Sequence, residues 1–261
     1  MNNYRAYAKV NIFLKITGKR DAYHEIISRF IRVNSLYDEL WFEAKQESDE
    51  FMIVGDFSCT TEQNTIYKAY RALLDVTLSQ PLIDFMKKNA IHVEKKIPAF
   101  AGLGGGSSDA ATYLKMCNEI LALGLSRDEL AVIGSNIGAD VAFFVYDYES
   151  ANVSGIGEIV EEFKEDALDF EIYTPKLEIS TPRVYKAYRE NFYAPVDDTK
   201  VQELKKMSSL EVLESMSADE ANDLFKPALY EYSELKSYVK DGYYFSGSGS
   251  SFFKAKDKRE R

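Results

Sequence analysis

The 261-residue sequence is poor in the residues from which metal and redox sites are built: it has two histidines, His24 and His92, and two cysteines, Cys59 and Cys117. Two isolated cysteines make neither a disulfide framework nor a zinc site, so a reduced compartment is expected. No His-x-x-x-His or Glu-adjacent ligand pattern surrounds either histidine, which argues against a zinc hydrolase. A serine–histidine–acid triad would have to use one of the same two rings. No apolar segment follows Met1-Asn2-Asn3-Tyr4-Arg5 as a signal peptide would require, and no apolar run approaches membrane-spanning length. Cytoplasmic location is the expectation, with no membrane partner. Positive charge is also in deficit. With 32 Lys and Arg against 42 Asp and Glu, the net charge is −10, unlike a nucleic-acid binder with its basic face. A nucleotide substrate stays possible, because a few local cations reverse the field inside a cleft.

Hydrophobic residues make up 46% of the chain and charged residues 28%, which is globular composition with enough apolar material for one large or two modest domains. Ala6, Ala8, Val10, Ile12, Leu14 and Ile16 alternate with Tyr7, Lys9, Asn11, Phe13 and Lys15, so the period predicts a strand with one face in the core. Residues 17–21 read as a turn, and 26–33 and 39–44 as two further strands. Asn64 caps a predicted helix carrying Ile66, Ala69, Tyr70, Leu73 and Leu74, and a second helical piece covers 82–88. Residues 91–96 read as a strand, and a helix is predicted from about Ser107 to Leu121. Ser126-Arg127-Asp128-Glu129 has capping-box spacing. After Val145, an acidic stretch with Gly155 and Gly157 suggests a boundary. Short strands near Val153 and Ile172, helices across 182–239, a closing hairpin of 243–246 and 251–254 about a Gly-Ser turn, and a frayed charged end (254–261) complete the reading. Strands and helices do not strictly alternate, which favours α+β over a doubly wound parallel sheet.

The run Pro98-Ala99-Phe100-Ala101-Gly102-Leu103-Gly104-Gly105-Gly106-Ser107-Ser108 carries the most chemistry. Consecutive glycines let backbone N–H groups turn toward a ligand, and the start of a helix adds orphan donors and partial positive charge suited to phosphate. Ser107 and Ser108 add hydroxyls and could cap that helix. The plainer reading is a flexible turn with a serine cap. Walker A needs Lys followed by Ser or Thr after its last glycine, and the dinucleotide fingerprint needs a glycine where Ser107 stands, so the loop is neither. Lys9 and Asn11 point the same way from their strand, though a lysine on such a face is ordinarily a snorkelling surface charge. Asp140, within Asn136-Ile137-Gly138-Ala139-Asp140-Val141, reads most simply as an N-cap. His92, among Glu94 and Lys96, reads as solvated. His24, beside Tyr23, is open to ligand contact or to a plain turn-end role. The small residues of Ser246-Gly247-Ser248-Gly249-Ser250-Ser251 make a tight turn that permits close approach.

Taken together, Ala8 through Leu14, Arg20-Asp21-Ala22-Tyr23-His24-Glu25, Ile97 through Ala111, Gly138 through Val141 and the terminal Ser246–Ser251 run resemble the motifs of the GHMP kinases, in the same order and from near one end to near the other. The Tyr-His block and the Lys-x-Asn strand are similar to the branch acting on a cytidine-diphosphate-linked polyol, the methylerythritol intermediate of the non-mevalonate isoprenoid route. The family's usual Asp-Gly-Tyr-His stands here as Asp21-Ala22-Tyr23-His24, and Ala142 stands where proline is common.

The resemblance implies a two-domain α+β GHMP-kinase fold, with an N-terminal ribosomal-protein-S5-like α/β domain over 1–150 and a C-terminal α+β substrate domain over 151–261. It implies ATP accompanied by Mg2+, its protein ligands unknown, and a monomer or weak homodimer. Lys9 and Asp140 would be the catalytic pair, Pro98 through Ser108 would wrap the triphosphate, and Asn11, Tyr23, His24, Tyr185, Gly247 and Ser248 would hold the acceptor. Another small-molecule kinase of the family, for homoserine, mevalonate or a sugar, remains an alternative. So does a catalytically silent nucleotide-binding regulator.

Overall fold

The structure, a computed structural model, describes residues 3–21 and 23–256. Two long strands come first, β1 (Tyr4–Arg20) and β2 (Tyr23–Ala44), then β3 (Ile53–Val54), α1 (Thr65–Thr77), α2 (Gln80–Lys88) and β4 (Asn89–Glu94). The glycine run leads into α3 (Gly105–Ile120), followed by α4 (Arg127–Ser135), α5 (Val141–Tyr146), β5 (Ser150–Gly155), β6 (Ile159–Glu162) and β7 (Phe170–Tyr173). The remainder is α6 (Thr181–Asn191), α7 (Asp198–Lys206), α8 (Ser209–Ser215), α9 (Ala218–Ala221), α10 (Phe225–Glu231), β8 (Tyr244–Phe245) and β9 (Phe252–Ala255). This is the expected α+β mixture. Among the described residues, no helix is long and apolar enough to cross a membrane.

The chain forms two compact units, along different lines from a single cut at residue 150. One takes the residues up to Ala8, Ser35–Ile97 and Gly104–Asp147; the other takes Lys9–Asn34, Pro98–Leu103 and the residues from Tyr148 onward. β1 and β2 each contribute to both.

In the first unit, residues 39–44 of β2 pair antiparallel with β4, Leu40 opposite Val93 and Phe42 opposite Ile91, and β3 joins the far side of β4 in parallel. Ile66, Ala69 and Leu73, at helical spacing on α1, face the core beside α3, whose residues Ser108 through Cys117 are buried save Lys115. Asn64 caps α1 by accepting the Ile66 N–H at 2.9 Å, and Ser126 and Glu129 form the predicted capping box of α4. Lys95, just past β4, donates to Asp109 of α3 at 2.6 Å and also to Asp38 of β2. Asp38 accepts in turn the N–H groups of Lys96 and Ile97, the latter at 2.8 Å. One ammonium therefore ties together the strand entering the glycine run, the helix leaving it and a neighbouring strand. Burial lowers the Lys95 pKa, but the Asp109 and Asp38 charges outweigh it and hold it above its ordinary value.

In the second unit, residues 26–31 of β2 pair antiparallel with β5, which pairs with β6, while β7, β9 and β8 form a separate three-stranded sheet in that order. Its core gathers Leu14, Ile16, Val184, Tyr188, Leu224, Phe225, Phe245 and Phe252. Arg29, fully buried on β2, donates to Asn152 Oδ1 at 2.7 Å and to the carbonyls of Lys205 and Met207 at 3.2 Å. Glu165 balances its charge at 3.6 Å, and the Phe163 ring lies over the guanidinium.

Several expectations need correction. β1 is not half-buried: residues 8–16 are buried on both faces, because α-helical and loop segments cover what periodicity alone assigned to solvent. β1 continues through residues 17–20, with the turn beginning at Asp21, and the two strands expected over 26–44 are one. α3 starts at Gly105 and not near Ser107, since glycines at a helix N-terminus tolerate helical dihedrals once the following apolar face packs. Lys254 belongs to β9 rather than to a frayed end. Ala22 and residues 257–261 lie outside the described residues.

Two measurements test this packing. Arg29→Met strips the partly buried Glu165 of its cation and should cost about 3–5 kcal/mol in denaturant unfolding, the range for breaking a buried pair from one side. A loss under about 1 kcal/mol, the size of an exposed pair, would contradict it. The second concerns pH. Burial pushes the Asp109 carboxyl up to about 7, with Lys95 opposing the rise and Asp38 adding to it. An unfolded aspartate titrates near about 4. The folded state holds the proton more tightly, so this group's contribution is full below the unfolded value and is lost as pH rises through the folded one. Thermal denaturation should show wild type losing stability relative to Asp109→Asn between those two values, and a flat difference would be inconsistent with it.

Candidate active site

The glycine run divides between the two units after Leu103. In the first unit, Gly104 is the N-cap of α3, and the first helical bond is the Ser108 N–H donating to the Gly104 carbonyl at 2.9 Å. The N–H groups of Gly105, Gly106 and Ser107 precede that bond, so the helix offers them no partner, an arrangement of the kind that suits an anion. Ser107 and Ser108 sit inside the first turn and do not cap it: no side-chain cap bond is made, and Ser108 is buried. Thr65, at the head of α1, donates its hydroxyl to the Gly106 carbonyl at 2.6 Å and steadies this edge. The turn Gly138–Asp140 lies against the same place, since a Cβ on Gly138 would stand 3.7 Å from Ser107 Oγ. Asp140 does occupy the N-cap position of α5, but it has α-helical dihedrals and its carboxylate makes no cap bond.

The second unit holds Lys9, Asn11 and the head of the glycine run. Lys9 is 3% exposed and is no snorkelling surface charge. Its ammonium donates to Asn11 Oδ1 at 2.6 Å and to the Gly102 carbonyl at 3.0 Å, and it lies 4.6 Å from the centre of the Phe30 ring. Asn11 donates to Ser28 Oγ at 3.0 Å, which fixes which end of its amide faces Lys9. The Lys9 N–H donates to the Leu103 carbonyl at 2.9 Å, while Ser250 and Ser251 donate backbone N–H groups to the carbonyls of Phe100 and Ala101 at 3.2 and 3.0 Å. The loop therefore runs between β1 and the terminal turn. Pro98, Ala99 and Phe100 are exposed, and Ala101 and Leu103 are buried. Gly102 adopts φ +72°, and a Cβ there would collide with the Ser246 carbonyl, so the position is closed to other residues. Gly247 faces the lysine: a Cβ on it would stand 3.5 Å from Lys9 Nζ and 3.3 Å from Asn11 Oδ1. Ser248 is buried and shares a 2.6 Å hydrogen bond with Thr181.

His24 stacks on Tyr185 with ring centres 5.3 Å apart, and Tyr188 meets it edge-on at 5.8 Å. Its Nε2 is buried and has no hydrogen-bond partner among the described residues. Burial lowers its pKa, and Arg189 and Lys19 push the same way, so the ring is neutral at pH 7 with one donor and one acceptor nitrogen. Tyr23 is 64% exposed. His92, expected to be solvated, is partly exposed and stacks on Trp41 at 5.4 Å.

Sequence reasoning missed Thr65 and Lys95, which support the helix start in the first unit, and Ser28 and Asn222, which support Asn11 and the terminal turn in the second. Ser28 had a signal, a lone hydroxyl in the apolar run Ile26-Ile27-Ser28-Arg29-Phe30-Ile31. The others had none, since their partners lie far away along the chain.

Comparison with known proteins agrees with this geometry. The family description "GHMP kinases N terminal domain" matches residues 64–148. A 4-diphosphocytidyl-2-C-methyl-D-erythritol kinase of Sulfurimonas denitrificans is 66% identical, covering 99% of this chain and 98% of that one. A crystal structure of 4-(cytidine 5'-diphospho)-2C-methyl-D-erythritol kinase superposes with a TM-score of 0.72 at 28% identity, over 98% of this chain and 90% of the other. Methanococcus jannaschii mevalonate kinase, with a TM-score of 0.63 at 16% identity over 99% of this chain and 91% of its own, shares the fold. The two-unit α+β architecture, the helix-borne glycine run and the full-length identity lead to one conclusion: this chain belongs to the 4-diphosphocytidyl-2-C-methyl-D-erythritol kinase family of the GHMP kinases.

Proposed function

We propose that this protein transfers the γ-phosphoryl group of ATP to the 2-hydroxyl of 4-diphosphocytidyl-2-C-methyl-D-erythritol, a step toward isoprenoid precursors. The observation that carries the reading is 66% identity, along the whole chain, to a kinase named for that acceptor. The neutral His24 against Tyr185, with a buried ring nitrogen that lacks a protein partner among the described residues, supports a heterocyclic acceptor such as cytosine.

In this mechanism the acceptor oxygen bonds to the γ-phosphorus, the bond to the β,γ-bridging oxygen breaks, and ADP leaves with that electron pair. The hydroxyl proton passes to the Asp140 carboxylate. Lys9 stabilises charge on the acceptor oxygen and the transferred group, from an ammonium already oriented by Asn11 and Gly102. Pro98 through Ser108 wraps the triphosphate, the N–H groups of Gly105, Gly106 and Ser107 facing its oxygens. Asn11, Tyr23, His24, Tyr185, Gly247 and Ser248 hold the acceptor. In domain terms, ATP is held by residues within 1–150 and the acceptor also draws on 151–261. Among the described residues, no three His, Cys, Asp or Glu side chains are grouped to hold a metal. Mg2+ would accompany ATP and would offset the negative charge of its phosphates. The protein works in the cytoplasm on small molecules, as a monomer or weak homodimer, and its charge of −10 disfavours nucleic acid.

Steady-state assays test this directly. The cytidine acceptor should drive ATP consumption where homoserine, mevalonate and simple sugars do not; turnover on one of those alone, or ATP binding without turnover, would replace the reading. Asp140→Asn should lower kcat by roughly 10²–10⁴-fold, the general-base range, with the KM for ATP little changed. Near-wild-type turnover in that variant would remove Asp140 from the mechanism. His24→Ala should raise the acceptor KM by roughly 5- to 150-fold, matching about 1–3 kcal/mol for one base contact, and leave the ATP KM alone.

A further inference from the structure

Asn222 lies outside every motif considered so far, in the connection between α9 and α10, and it is 2% exposed. Its Nδ2 donates two hydrogen bonds, to the Phe245 carbonyl and to the Gly247 carbonyl, both at 2.9 Å. Its Oδ1 accepts the Leu224 N–H at 2.9 Å. The last bond is a local turn of the kind that aspartate makes equally well. The other two are not local, since they cross 23 and 25 residues of chain. They require a side chain with two donors at one end and an acceptor at the other, which among residues of this size is asparagine.

The neighbouring residue anchors this carboxamide to β1. Asp223 accepts the Ile16 N–H at 2.7 Å and pairs with Lys15, while its own N–H donates to the Leu14 carbonyl at 2.9 Å. From Asn222 the contacts proceed to the Ser246–Gly247 turn, then to Gly102, whose carbonyl accepts both Ser246 Oγ and Lys9 Nζ at 3.0 Å. Lys9 is itself on β1, so the chain of contacts closes: β1 holds Asp223, Asn222 holds the turn, the turn holds Gly102, and Gly102 holds the lysine of β1. We propose that Asn222 is a positioning residue, its carboxamide setting the terminal turn against Gly102 and thereby the place of the Lys9 ammonium. This rests on the role given to Lys9 above and deepens it.

The test uses Asn222→Asp, which has the same shape without the donors, with Asn222→Ala as an uncharged second variant. Both are assayed for kcat and the two KM values, and hydrogen exchange is followed by mass spectrometry without substrate. Displacing a reacting group by about 1 Å costs on the order of 100-fold, so kcat should fall roughly 10- to 100-fold, by a larger factor than either KM changes. Exchange should quicken over residues 98–103 and 245–251 and stay at the wild-type rate in α7. A kcat within about twofold of wild type, or exchange that rises equally in α7, overturns the proposal and leaves Asn222 a stability residue. Failure of both variants to fold has the same consequence. If wild type does not phosphorylate the cytidine acceptor, the proposed function falls, and the positioning role is judged on the exchange data alone.

Discussion

Removing an ammonium group from water costs several kcal/mol unless fixed dipoles replace the lost hydration. Lys9 is buried on β1, and its hydration is replaced by the Asn11 amide oxygen, the Gly102 carbonyl and the face of Phe30. Each partner must be held where it is for the exchange to balance. Asn11 is oriented by Ser28, and Ser28 by the Phe13 carbonyl. Gly102 is held by the terminal turn, and that turn by Asn222. A single buried cation thus dictates side-chain choices spread from residue 9 to residue 247. A positive charge fixed in this way does not have to reorganise when charge develops on a transferred phosphoryl group.

The first unit handles its charge differently. Lys95 has two carboxylates, Asp38 and Asp109, and the three together bind the strand before the glycine run to the helix after it. Asp38 also accepts the N–H groups of Lys96 and Ile97, so the entry to the loop is defined by backbone as well as by side chain. With the ends of the loop fixed, the first N–H groups of α3 are held in place at the helix start, where the helix itself offers them no partner.

Membership of the cytidine-linked branch of the GHMP kinases is consistent with how little regular chemistry the site carries. Among the described residues, no three His, Cys, Asp or Glu side chains are grouped to hold a metal. Phosphoryl transfer needs position and charge more than covalent partners, and the proposed set of backbone amides, Lys9 and Asp140 is of that kind. Family relatives of low identity share the fold.

Much of this was legible in the sequence, for reasons that are local. Helix caps at Asn64 and Ser126, the helical period of α1, and the glycine run depend on neighbours within a few residues, where short-range sterics and hydrogen bonds decide the outcome. The resemblance of ordered motifs pointed to the family, and the full-length identity bears it out. Other features were decided only by tertiary structure. Period two in β1 could not say that both faces would be covered, so Lys9 read as a surface charge and is in fact buried. Ser107 and Ser108 looked like caps, yet the cap is Gly104, because the packing of α3 starts the helix earlier. Lys95, Asp109 and Asn222 carried no signal at all, since each derives its role from partners that only folding brings within 3 Å. Sequence by itself determined which residue types were available and which local elements they form; the tertiary structure decided which polar groups lost water, and hence which had to be paired.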